Sequence, residues 1–108
     1  MTYQVFLTDD ATQYLEALYD YIESHDVPEK ADYVLDQIEE AFSGLTENPE
    51  RGTYPKELLA TGLREYREIY FKPYRIIYRV MAENVYVMVI ADGRRDMQAL
   101  LQWRLLQA

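Results

Sequence analysis

The sequence predicts an α+β domain with the element order β-α-α-β-β-β-α: a helical hairpin packed on an antiparallel sheet, with a C-terminal helix. Three observations carry that expectation. Apolar residues recur at helical spacing through two consecutive segments of the first half. From Leu63 the pattern changes to runs rich in Tyr, Ile and Val, separated by short turns. Helical spacing then returns after Asp92-Gly93. With 108 residues, 49% of them apolar, the chain suits one domain over 1–108.

Tyr3-Gln-Val-Phe-Leu reads as a first strand, since aromatic and β-branched residues favour the pleated surface. Thr8 or Asp9 caps the helix that follows, where Ala11, Tyr14, Leu15, Leu18 and Ile22 form one stripe. Ser24-His25-Asp26-Val27 breaks it, and Pro28 suits the first turn of a second helix. There Ala31, Val34, Leu35, Ile38, Ala41, Phe42 and Leu45 share a face, while Glu29, Asp32, Asp36, Glu39 and Glu40 occupy much of the rest. Asn48-Pro-Glu-Arg-Gly52 is a turn, and the loop-like stretch to Gly62 has room for one helical turn at Lys56–Ala60. Strands are expected over Leu63–Phe71, Tyr74–Val80 and Val85–Ala91, antiparallel because their connections are short. Met97, Leu100, Leu101, Arg104 and Leu105 mark the final helix.

Composition excludes several function classes. With no Cys, there is no disulfide, thiolate metal site or Cys nucleophile. The longest apolar run, Val85 to Ala91, falls far short of the ~20 residues of a membrane span. The N-terminus lacks the basic start and apolar stretch of a signal peptide, so a cytoplasmic protein is expected. The single His25 sits in a helix–helix connector and reads as a solvated loop residue. The four glycines are dispersed, leaving no loop to cradle a nucleotide. Neither a metal nor another cofactor is expected.

Net charge is −8, which argues against direct nucleic-acid binding by the chain alone. The charge is uneven, however. Residues 1–62 carry a net −11 and residues 63–108 a net +3, so any anion-seeking surface belongs to the second half. Along Tyr74–Val80, alternation puts Arg75, Ile77 and Arg79 on one face. With Arg94-Arg95 after the next strand, Arg75 and Arg79 suggest a cationic target-binding patch. The competing reading pairs these arginines with Glu65, Glu68, Asp92 and Asp96, which lie close in sequence.

The runs Gly62-Leu-Arg-Glu, Tyr74-Arg-Ile-Ile-Tyr-Arg-Val and Val87-Met-Val-Ile-Ala-Asp-Gly-Arg-Arg-Asp resemble the RelE/ParE superfamily of type II toxin–antitoxin toxins. The helical hairpin and the Asn48-Pro49…Gly52 turn fit that resemblance over nearly the whole chain. It implies two branches. The RelE branch, ribosome-dependent mRNA endoribonucleases, would assign catalytic arginines to Arg75 and Arg95. Its lysine pair would fall on Tyr66 and Glu68, and its C-terminal-helix tyrosine on Leu101, so groups needed for phosphate stabilisation and proton transfer are missing here. The sequence is therefore more similar to the ParE branch, whose members poison DNA gyrase by protein contact and use no catalytic set. The alternatives are a RelE-like endoribonuclease with a rearranged site and an inactive toxin fold that only binds its antitoxin. The resemblance also implies a cognate antitoxin, whose tail would fold onto apolar anchors near Leu15, Leu18, Tyr19, Leu35 and Trp103.

Overall fold

Thr8 marks both an end and a beginning in the computed structural model, which describes residues 2–106. β1 (Gln4–Leu7) stops there, and α1 (Asp9–His25) starts with the Thr8 hydroxyl accepting the Ala11 N–H at 3.1 Å. This bond satisfies one of the first-turn donors that have no helical partner, and Asp9 and Asp10 favour the same helix end electrostatically. α1 extends past the expected break at Ser24 because His25 Nδ1–H donates to the Tyr21 carbonyl at 2.8 Å and the two rings stack. α2 (Pro28–Ser43) begins at Pro28 and buries Ala31, Val34 and Ile38. The Asp26-Val27 connector is short, so α1 and α2 lie together as a hairpin.

α3 (Lys56–Leu59) is the short helical turn expected between the hairpin and the sheet. β2 (Tyr66–Phe71) starts three residues later than the expected Leu63. Gly62 takes φ +81°, and the Leu63 N–H bonds back to the Leu58 carbonyl, so Leu63 closes the α3 turn instead of opening a strand. β3 (Tyr74–Met81) and β4 (Asn84–Asp92) follow. α4 (Met97–Leu101) is capped by Asp96, whose carboxylate accepts the Ala99 N–H, and continues into wider π-type turns over Gln102–Leu106. No helix among the described residues is long and apolar enough to cross a membrane.

The sheet order is β1-β4-β3-β2. β2–β3 and β3–β4 are antiparallel, whereas β1 joins β4 in parallel and makes one edge of the sheet mixed. The hairpin packs on one side, where Ala11, Val34 and Ile38 meet Ile76, Tyr78, Val85 and Val87. The opposite side is also covered: Leu58 of α3 and Met97 and Leu101 of α4 pack on Ile77, Val89 and Ala91. β4 thus feeds two cores. Its register slips between Val89, opposite Ile77, and Val87, opposite Tyr78, leaving Met88 as the extra residue of a bulge. Val85 and Val87 therefore face the hairpin, while Val89 and Ala91 face α4.

Tyr78 fastens the 48–52 turn to the sheet. Its buried hydroxyl donates to the Pro49 carbonyl at 2.7 Å and accepts the Gly52 N–H at 3.0 Å. Gly52 is required by that approach: a Cβ there would lie 2.6 Å from the Tyr78 oxygen and 2.7 Å from the Glu68 carbonyl.

Candidate functional site

Arg75 does not join an accessible patch. It is 7% exposed and sits on the α3–α4 side of β3, between two carboxylates. Its Nε and Nη2 donate to Glu68 at 2.8 Å each, and its Nη1 and Nη2 donate to Glu57 at 2.8 and 2.7 Å. Both edges of the guanidinium fork are filled in the bidentate geometry that suits carboxylates. Gly93 closes over the stem: its N–H bonds the Pro73 carbonyl, and a Cβ would stand 3.0 Å from Arg75 Cδ. The Arg75 hydrogen bonds hold the Glu57 carboxyl below its usual range, against the opposing effect of burial. The same bonds, led by those to Glu57, raise the already high pKa of Arg75. One cation between two anions makes this cluster net negative.

The other arginines of the expected patch are separated. Arg79 shares a face with Arg75 but lies four residues along β3, about 13 Å at the usual strand rise. It pairs with Glu65 at 3.3 Å and lies over the Tyr66 ring. Arg94 follows β4 at the opposite end of β3, where its Nε donates to Asp92 at 2.9 Å. That bond lowers the Asp92 pKa. Arg95 is exposed and forms no ion pair among the described residues. Three of the four arginines therefore follow the pairing alternative, and no common surface joins Arg79 to Arg94-Arg95.

Leu15, Leu18, Tyr19 and Leu35 do come together. Leu15, Tyr19 and Leu35 line an open groove of about 520 Å³ between α1 and α2, with Thr12, Glu16, Asp20 and Glu39 at its rim. Leu18 lies beneath, beside Ile22, Ala31 and Val34. Tyr19 donates to Asp32 at 2.8 Å, and this hydrogen bond to a carboxylate pushes the phenol pKa up to about 12. The groove has an apolar floor and an acidic rim. Trp103 belongs elsewhere: 61% exposed, it lines a second groove with Tyr14, Arg95, Leu100 and Arg104. Arg104 Nε donates to the Tyr14 hydroxyl at 2.6 Å and anchors that segment to α1.

Two groups escaped the sequence reading. Glu57 falls in the expected helical turn at Lys56–Ala60 with no partner assigned to it, yet its carboxylate reaches 18 positions along the chain to Arg75. Arg67 belongs to the arginine-rich second half, whose guanidinium forks suit anions, yet it donates to neutral groups, the Glu50 and Gly52 carbonyls and the Tyr54 hydroxyl, with its guanidinium 4.7 Å above the Tyr54 ring. A helical turn carrying an acid opposite an arginine-bearing strand was the available signal for the first. Nothing local marked the second. Among the described residues, no group of three or more His, Asp or Glu side chains could hold a metal ion.

The fold has close structural counterparts. A chain of the chromosomal ParDE toxin–antitoxin system from P. aeruginosa superposes with a TM-score of 0.70 at 20% identity, covering 84% of this chain and 96% of that one. A mutant of the E. coli toxin RelE in the free state gives 0.64 at 16% identity, with 93% of each chain covered. The RelBE2 toxin–antitoxin complex from Mycobacterium tuberculosis gives 0.56 at 22% identity, covering 85% and 99%. At these identities the likeness is one of fold. No curated protein matches significantly. The family model described as "ParE toxin of type II toxin-antitoxin system, parDE" matches residues 5–97. This chain belongs to the ParE toxin family of type II toxin–antitoxin systems.

Proposed function

We propose that the chain acts in the cytoplasm as a growth-inhibiting toxin that engages DNA gyrase by protein–protein contact. In the same reading, a cognate antitoxin neutralises it by folding a segment into the α1–α2 groove. The observation that carries the choice of target is the Glu57–Arg75–Glu68 cluster. An endoribonuclease stabilises developing phosphate charge with accessible cations. Here Arg75, one of the two arginines at the positions implied for that role, is buried and held by two carboxylates while Arg95 stays exposed, and Glu68 stands where the resemblance places a lysine. A net charge of −8 further opposes approach to ribosomal RNA. The antitoxin reading is supported by relatives of the same fold whose structures are a ParDE system and a RelBE2 complex. It is also supported by the apolar floor shared by Leu15, Tyr19 and Leu35.

Two assays test the target: gyrase supercoiling with accumulation of cleaved DNA, and mRNA cleavage at the ribosomal A site. Inhibited supercoiling with intact mRNA is expected. Codon-dependent cleavage with normal supercoiling would transfer the chain to the RNase branch, and unaffected growth on expression without antitoxin would mark it as inactive.

A further inference from the structure

Arg64, Arg67 and Arg79 converge on a notch of about 260 Å³ at the start of edge strand β2, with Glu50, Glu65 and Val80 completing its walls. We propose that this notch receives a carboxylate from an acidic peptide segment of a protein partner. Charge comes first: three arginines against two glutamates leave one positive charge in a molecule of net −8. Carboxylates abound in this chain, yet Arg64 and Arg67 pair with none among the described residues. Arg67 is fixed instead by neutral acceptors, the Glu50 and Gly52 carbonyls and the Tyr54 hydroxyl, so its orientation is set while its charge stays uncompensated. Tyr54 holds the two cations together, with Arg67 4.7 Å and Arg64 5.8 Å from its ring centre.

Arg79 shows what the notch accepts. Its partner Glu65 is half exposed and 3.3 Å away, a loose contact that an incoming carboxylate can replace. The balance of one charge favours a peptide carboxylate over a nucleic acid. A polyphosphate would bring a row of charges against an acidic molecule, whereas an isolated Asp or Glu needs only local neutralisation. The acidic first half also repels such a segment from the rest of the surface, so the notch supplies orientation as well as attachment.

The test is an isotope-edited NMR titration of the whole chain at low salt with a short capped peptide alternating Glu with Ala. A Lys–Ala peptide and an oligothymidylate of equal length serve as competing probes. Saturable shifts at the arginine Nε–H groups of Arg64, Arg67 and Arg79 and at the Tyr54 amide are expected with the Glu peptide. Arg64→Ala and Arg79→Ala should each weaken binding by about fivefold while melting like the parent chain. The proposal is overturned if the Glu peptide leaves those signals unmoved, if its shifts centre on Arg94 and Arg95, or if the oligothymidylate binds the notch more tightly.

Discussion

Glu68 and Arg75 are diagonal neighbours on one face of the β2–β3 ladder, joined at 2.8 Å, and both are nearly excluded from solvent. Removing the arginine leaves the buried Glu68 carboxylate and the partly buried Glu57 carboxylate without their cation. Arg75→Ala should therefore destabilise the fold by about 3–5 kcal/mol. Urea unfolding measures this directly. A variant that unfolds like the parent and has lost toxicity would instead return Arg75 to the target surface.

Glu57 gives the pair a pH signature. Its folded pKa lies below the ordinary 4.5, so its contribution is complete above that value and disappears as pH falls through the folded pKa. The stability difference between the parent and Glu57→Gln should be constant from neutrality down to about pH 5.5 and shrink below the usual carboxylate range. Paired denaturation curves across that interval provide the check. A difference that grew in acid would contradict the assigned direction.

Arg95 offers the clean separation that Arg75 does not. Exposed and without an ion pair among the described residues, it can be replaced by Ala at a stability change within about 0.5 kcal/mol. Growth arrest measured beside a thermal melt then reports contact alone. Lost toxicity with an unchanged melt places Arg95 at the target, and full toxicity removes it.

In the α1–α2 groove, Leu35→Glu should weaken the antitoxin complex by about thirtyfold, the loss typical of a strong interface anchor. Calorimetric titration with the cognate antitoxin, accompanied by a melt of the free variant, measures it. Trp103→Ala is the contrast: because Trp103 lines the other groove, antitoxin affinity should hold if only the α1–α2 groove is used.

Gly52→Ala should destabilise by about 2 kcal/mol or more, since the added carbon meets both the Tyr78 hydroxyl and the Glu68 carbonyl. Tyr78→Phe alone should cost about 1–3 kcal/mol by leaving the Gly52 N–H and the Pro49 carbonyl without their partner. Combining the two changes should not rescue Gly52→Ala, because the backbone contact 2.7 Å away remains. Full rescue in the double variant would locate the conflict at the hydroxyl alone.

Local chemistry made most elements legible: Thr8 as a cap, Pro28 at a helix start, alternation through Tyr74–Val80, and a helical turn at Lys56. Long-range choices were not. The parallel docking of β1 on β4 leaves no trace in a four-residue strand. The even apolar run Val85–Ala91 carries no polar punctuation to reveal that its residues change sides. At the candidate site, alternation placed Arg75 and Arg79 on one face, but burial depends on what covers that face. The cover comes from Glu57, far away in sequence. The apolar anchors on the hairpin were legible because helical spacing alone collects Leu15, Leu18 and Tyr19, and a short connector brings Leu35 beside them.

Met88 gives β4 one residue of slack. Deleting it on paper leaves Val85, Val87 and Ile90 turned toward the hairpin and Val89 and Ala91 toward α4, in unbroken alternation. The strand's parity is thus correct without the bulge, and the added residue bends the path without changing what each side chain touches. Loss of Met88 would therefore be absorbed inside the sheet. Gly93 beyond it would keep its place over Arg75.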